Sequence, residues 1–398
     1  MIASARQVFN QQFSTEKYQQ FIADLDQEFK YKIPFRVAES PVFVGKEFAG
    51  KLFKAADEII DFIAQPGFKG KMAGALPAHL KVPNEDDHTL FLALDFAVCS
   101  EEGSRELVPK LIEMQGFPSL FGYQDFLGNK FRQHYQIPAN LNFHFGSDSH
   151  QYWERIRKAI IKNHHPDNVI LLEINPMKQN TAIDFLVTRQ HLGIEPVHLG
   201  DIRIRNRKLF YKKQGIEVPI HRIYNRVIFD ELLAQKDLKT EFHLTEEVEV
   251  EWAGHPNWFF YISKYTMPFL ESNSVPECKF LSEYETLPKN LDQYVLKPLF
   301  SFSGSGVIFH VTEQDIKDIP EGERKNFMLQ RKVHYEPVIQ APDGLVKTEI
   351  RLLFLWDAGQ PRPQLITNLA RLSRGDMIGV KYNKDKTWVG GSVCFFES

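Results

Sequence analysis

Residues 294–307 read YVLKPLFSFSGSGV. An apolar run of strand length carries Lys297 to its end, Pro298 stops regular pairing, and SFSGSG supplies a turn of small residues. Gly304 and Gly306, set among Ser301, Ser303 and Ser305, let backbone N–H groups approach an anion closely. Lys297 adds a fixed positive charge for the same group. A plain hairpin connection with an exposed lysine would look similar, so both uses stay open on this stretch alone.

The neighbourhood favours the anion. Upstream, HPNWFFYISKYTMPFLESNSVPECKFL (255–281) places Lys264 to open a helix before a strand entry at Val275-Pro276. Downstream, FMLQRKV (327–333) is a strand leading into a polar loop. KTEIRLLFLW (347–356) carries Glu349 and Arg351, and LITNLARLSRG (365–375) offers Asn368 and Arg371. GVIFHVT (306–312) and WVGGSVCFF (388–396) also read as strands, so the final third is expected to be mainly antiparallel sheet.

The order Lys264, Lys297 with its Gly-rich loop, hinge strand, Glu349 and Arg371 resembles the ATP-grasp superfamily, in which two antiparallel-sheet subdomains grip ATP. ATP-grasp ligases usually carry an acidic residue and an E-x-N after the arginine. Beyond Arg371 this chain has only Asp376, Asp385 and Glu397. Magnesium needs hard oxygen ligands, and the N-terminal third offers some. LDFAV (94–98) puts Asp95 on a strand, and KLIEMQGFPSL (110–120) puts Glu113 and Gln115 on the same side of the next. That pair of strands resembles the circularly permuted ATP-grasp ligases, the glutathionylspermidine synthetases and eukaryotic glutathione synthetases. There a D-F strand and an E-x-N strand precede the nucleotide lysines. Two positions depart: Gln115 stands for the usual Asn, and Ala93 for an Arg two residues before the aspartate. Strand-end carboxylates capping turns are the other use of Asp95 and Glu113.

The resemblance implies an ATP- and Mg²⁺-dependent ligase joining a small-molecule carboxylate to an amine or thiol through an acyl phosphate. By it, Lys264 and Lys297 hold the α/β-phosphates, and Ser301, Ser303, Gly304, Ser305 and Gly306 close over the triphosphate. Gln330, Arg331, Lys332 and Val333 line the adenine through backbone groups, and Glu349 meets the ribose or adenine side. Arg371 stabilises the moving phosphoryl, and Asp95, Glu113 and Gln115 hold the metal. Arg222 and Arg226, in IHRIYNRVIFDEL (220–232), are candidates for a substrate carboxylate; pairing with local acids is the alternative. A competing function is an ATP-binding protein of this fold without ligase activity, a sensor or partner subunit. A third treats every motif as a turn.

The fold class expected is α/β (α+β): a circularly permuted ATP-grasp fold with a βαβ domain ahead of it. Three regions are expected: 1–150, helical with the metal-bearing strands; 151–250, the βαβ unit; and 251–398, the nucleotide region. In the first, Phe48, Leu52, Ala55, Ile59, Phe62 and Ile63 follow a helical period up to Pro66-Gly67, and residues 68–87 read as loop. In the second, NVILLEIN, TAIDFLVTRQHLG and IEPVHLG read as strand, helix and strand. DIRIRNRKLFYKK (201–213) alternates like an exposed strand with six basic residues, a solvated face rather than an anion site.

Composition excludes more than it assigns. Of 398 residues, 48 are Lys or Arg and 51 Asp or Glu, so no global charge calls for nucleic acid or a membrane surface. Cys99, Cys278 and Cys394 share no C-x-x-C spacing, which disfavours a disulfide scaffold and points to a reducing, cytoplasmic setting. The polar N-terminus lacks the apolar core of a signal peptide. GKEFAGK (45–51) mimics a phosphate loop, but Leu52 stands where the magnesium hydroxyl belongs. His164 and His165 lie in a polar turn without further ligand spacing.

Overall fold

The strand Phe91–Ser100 is buried along nearly its whole length, and Asp95 is the one charged residue in it. A run this apolar needs cover on both faces, so it lies inside a sheet. In the computed structural model that sheet is antiparallel. Its order is Gly390–Ser392, Gln364–Ser373, Gly344–Leu355, Phe91–Ser100 and Leu107–Gln115, with Ile339–Ala341 also paired to Gly344–Leu355. Strands from the first third of the chain thus complete a sheet begun in the last third. The structure describes all residues except 102, 302–303, 376–377, 379–382 and 384.

Helix Lys46–Ile63 packs against Leu107–Gln115. It buries Phe48, Leu52, Ala55, Ile59 and Ile63 and leaves Phe62 half-buried. Residues 68–87 are not all loop: they hold a one-turn helix, Phe68–Lys71, and short 3₁₀ turns at Ala73–Ala75 and Ala78–Leu80. Helix Phe121–His134, which packs on the Arg371 strand, has no counterpart in the sequence reading. Phe121 through Gly128 are buried on every side of it, so no amphipathic stripe announces it.

The βαβ unit forms as expected. Val169–Glu173 and Glu195–His198 pair in parallel, joined through helix Ala182–Leu192, which ends at Gly193 with φ 74°. Arg222–Asn225 and Glu251–Ala253 extend that sheet on its other side, also in parallel. The basic stretch 201–213 is a hairpin rather than one strand. Asn206 and Arg207, at φ 48° and 64°, turn Arg203–Arg205 back onto Lys208–Lys213. Its cations pair on the surface: Arg203 with Glu241, Arg207 with Glu247 and Lys213 with Asp167.

A second antiparallel sheet, Cys278–Phe280, Phe327–Arg331 and Tyr294–Pro298, carries Lys297. GVIFHVT, expected as a strand, adds a single bridge, Ile308 to Leu296, and Val311 joins a small core with Leu281, Leu296 and Leu329. Among the described residues no helix is long and apolar enough to cross a membrane.

The edge strand of the central sheet depends on Gly390. At φ 126° it sits where a side-chain carbon would lie 2.4 Å from the Arg36 carbonyl oxygen. Gly390→Ala is expected to lower stability by about 1–3 kcal/mol. An unchanged denaturation midpoint would contradict this close approach.

Candidate functional site

Register in the central sheet sets two rows of side chains side by side. In one, Arg351 lies opposite Asp95, and Asp95 opposite Glu113. In the next, Arg371 lies opposite Glu349. Alternation puts Glu349 and Arg351 on one face, so charges from four strands share it.

Each carboxylate in this group has a cationic partner. Arg351 grips Asp95 with two bonds, Nε to Oδ1 at 2.5 Å and Nη2 to Oδ2 at 2.6 Å, and its Nη1 donates to Ser119 Oγ at 2.8 Å. Arg371 Nη2 donates to Asp95 Oδ2 at 3.2 Å, and its Nη1 lies 2.9 Å from Glu349 Oε1. Tyr335 donates to Glu349 Oε2 at 3.0 Å. Lys264 Nζ is 2.8 Å from Glu113 Oε1 and donates to the Ser301 carbonyl at 2.5 Å.

Lys297 reaches the group through a β-bulge. Pairing runs Asp95 to Glu113, then Phe96 to Leu111, so Ile112 has no partner across the strand. Its carbonyl accepts from Lys297 Nζ at 3.1 Å. The Leu111 carbonyl accepts from Gln330 Nε2 at 3.4 Å. Gly116 closes the strand where a Cβ would lie 2.6 Å from the Trp258 carbonyl, which brings the segment before Lys264 against the Glu113 strand.

Four cations, Lys264, Lys297, Arg351 and Arg371, therefore meet three carboxylates, Asp95, Glu113 and Glu349. Burial alone would raise the Glu113 carboxyl, but Lys264, then Arg351 and Lys297, hold it down at about 2. Burial lowers the Lys297 ammonium to about 8, against the pull of Glu113. Burial raises Glu349, with Arg371 opposing. Arg371 goes up: Glu349 and Asp95 outweigh its own desolvation. Arg371 at 34% and Glu113 at 18% side-chain exposure face outward, while Asp95, Glu349, Arg351 and Lys264 are buried. A group with excess positive charge and an outward guanidinium is suited to an anion.

The remaining candidates fall around this cluster or away from it. Gly304 and Gly306 take left-handed backbone, at φ 70° and 68°, as a tight loop requires. Ser305 is exposed, and Ser303 lies outside the described residues. Gln330 is buried, and Arg331 pairs at the surface with Glu277. Lys332 Nζ donates to the Asp292 carbonyl, its backbone N–H is bonded to Gln293, and Val333 is half-buried. Glu349, expected at the ribose or adenine, is paired with Arg371 and accepts from Tyr335. Arg222 is on the parallel sheet, and Arg226 follows directly after the same strand, Arg222–Asn225. Arg222 is committed to Glu251 and the carbonyls of Ile160 and Ala159, and Arg226 to Asp184.

A divalent cation does not fit this donor set as it stands. Both Asp95 oxygens are taken by guanidiniums, and Glu113 is taken by Lys264. Gln115 Oε1 is buried without a partner, one neutral donor. Among the described residues no three His, Cys, Asp or Glu side chains group so as to hold a metal.

The sequence reading left Arg351, Tyr335 and Ser119 without a role. Arg351 had a signal, its place two residues after Glu349 on the same strand face. Tyr335 and Ser119 come from connections, where periodicity gives none.

No protein-family model matches the chain, and no curated protein matches it. Among solved structures it is similar to a glutathione synthetase-like effector from Globodera pallida in its apo form. The two share 10% identity with a TM-score of 0.58, over 96% of each chain. The fold is glutathione synthetase-like. At this identity the likeness speaks for the fold alone. In this fold the central sheet and the Lys297 sheet meet at the charged cluster.

Lys297→Met keeps the stem and removes the buried charge, so it is expected to stabilise the empty protein by roughly 1 kcal/mol or more at pH 7. Between about 8 and the ordinary 10.5 the unfolded lysine holds a proton that the folded one has lost. Wild-type stability therefore gains over that window and the variant's advantage shrinks. An advantage that grows with pH, or a destabilised variant at pH 7, would contradict the burial of this ammonium. Arg351→Met should instead destabilise by about 3–5 kcal/mol, because Asp95 loses its two-bond partner inside the sheet; urea denaturation reads the difference.

Proposed function

We propose that this glutathione synthetase-like chain binds ATP by its phosphates where the Lys297 sheet meets the Asp95 sheet. The observation that carries the proposal is the convergence of Lys264 and Lys297, from separate elements, on the bulged Glu113 strand. Their ammonium groups and the Arg371 guanidinium would neutralise phosphate oxygens, and the loop from Ser301 to Gly306 would cover them. Gln330 to Val333 would border the base.

The activity proposed for this site is that of a carboxylate–amine or carboxylate–thiol ligase. When bound, ATP would supply the phosphoryl group that activates a substrate carboxylate as an acyl phosphate, leaving ADP; the amine or thiol would then attack the acyl carbon and displace inorganic phosphate. Arg371, outward-facing and held by Glu349 and Asp95, would steady charge on a transferring phosphoryl. Arg222 and Arg226, the candidates for a substrate carboxylate, would each have to leave an existing partner to meet one: Arg222 spends its donors on two carbonyls and Glu251, and Arg226 pairs with the buried Asp184. Circular permutation is part of the same proposal, supported by the pairing of strand Phe91–Ser100 with strand Gly344–Leu355.

A second reading, ATP bound without ligase activity, is favoured by one observation: Asp95, Glu113 and Gln115, the magnesium ligands by resemblance, do not offer a free carboxylate. ADP release that rises when carboxylates and amines are added together supports the ligase; binding with no turnover supports the second reading.

The binding itself is read by thermal unfolding. ATP at 100 times its dissociation constant is expected to stabilise the wild type by about 2.7 kcal/mol, and Lys297→Met by far less. No shift in the folded wild type would contradict the phosphate site.

A further inference from the structure

We propose that the phosphate site takes its nucleotide without a divalent cation, Arg351 and Arg371 standing on Asp95 where a metal ion would have to coordinate. This rests on the ATP reading above and favours the form of it in which the nucleotide is held and not spent.

The arrangement around Asp95 is a built one. The Arg351 fork matches the carboxylate with two parallel bonds, the geometry in which a guanidinium is hardest to replace. Ser119 fixes its remaining nitrogen, and Arg351 and Asp95 are in register on adjacent strands. Both side chains are buried, so a metal that claimed Asp95 would leave a guanidinium without its counter-charge inside the protein. Arg371 holds the second Asp95 oxygen from the next strand. Glu113 is tied to Lys264, and Gln115 supplies one amide oxygen. Magnesium asks for near-octahedral oxygen ligands including a carboxylate or two, and each carboxylate here is already paired with a cation.

The same cations then do the metal's electrostatic work. Free ATP carries more negative charge than its magnesium complex, and a site neutralised by Lys264, Lys297 and Arg371 takes the free form at least as tightly.

Isothermal titration of the wild-type protein with ATP, once in EDTA and once with excess magnesium, tests this. The expected result is a dissociation constant in EDTA equal to or lower than that with magnesium. Binding tightened tenfold or more by magnesium would overturn the metal-free site while leaving the ATP reading in place. Absence of heat in both titrations, with the thermal shift also absent, would overturn the ATP reading and this inference with it. Electron paramagnetic resonance adds a readout free of nucleotide. Manganese added alone should keep its full free-ion signal in the presence of protein; loss of that signal at micromolar protein, restored by Asp95→Asn, would also overturn the proposal.

Discussion

The Asp95–Arg351 pair is the constraint around which the rest is arranged. A carboxylate in the middle of an apolar, buried strand must be matched by a hydrogen-bonded cation or be lost as a charge. The match comes from a strand some 250 residues later in the chain, which fixes both the pairing and its register. A slip by one residue would turn Asp95 into one apolar layer and Arg351 into another. The antiparallel sheet therefore joins the first and last thirds of the chain at one position, and the Glu349–Arg371 pair lies in the next row, set by the pairing of the Glu349 strand with its other neighbour.

A second sheet then docks its lysine into what this register leaves. The bulge at Ile112 turns a carbonyl toward Lys297, and Glu113, one residue on, is in reach of Lys264. Lys297 makes one hydrogen bond to a carbonyl in a buried setting that lowers its affinity for a proton. An ammonium kept in such a place costs the empty protein stability, and a phosphate arriving there would supply the missing acceptors. That tension between stability and binding is the physical basis for reading the cluster as a site rather than as a structural ion-pair network.

Much of this was legible from the residues. Asp95 and Glu113 stood out because no E-x-N follows Arg371 and their two strands resemble the D-F and E-x-N strands of the permuted ligases, and the βαβ unit announced itself through its helix stop at Gly193. Helix Phe121–His134 did not, since a helix buried all round has no periodic contrast. The basic stretch 201–213 read as one strand because alternation continues through Asn206-Arg207, where the left-handed turn is invisible to hydropathy. Within the cluster, Asp95, Glu113, Lys264, Lys297, Glu349 and Arg371 were named from sequence order. Their mutual neutralisation was not, because which acid meets which base is set by pairing between strands hundreds of residues apart. Glu349 in particular carries no signal in the sequence of its neighbours across the sheet; its register places it opposite Arg371.

The most direct test of the central claim is a crystal structure with a non-hydrolysable ATP analogue bound. The account predicts phosphate oxygens within hydrogen-bond distance of Lys264 and Lys297 Nζ, with the Arg351–Asp95 pair intact beneath them. An analogue seated elsewhere, with both lysines still on Ser301 and Ile112, would contradict it.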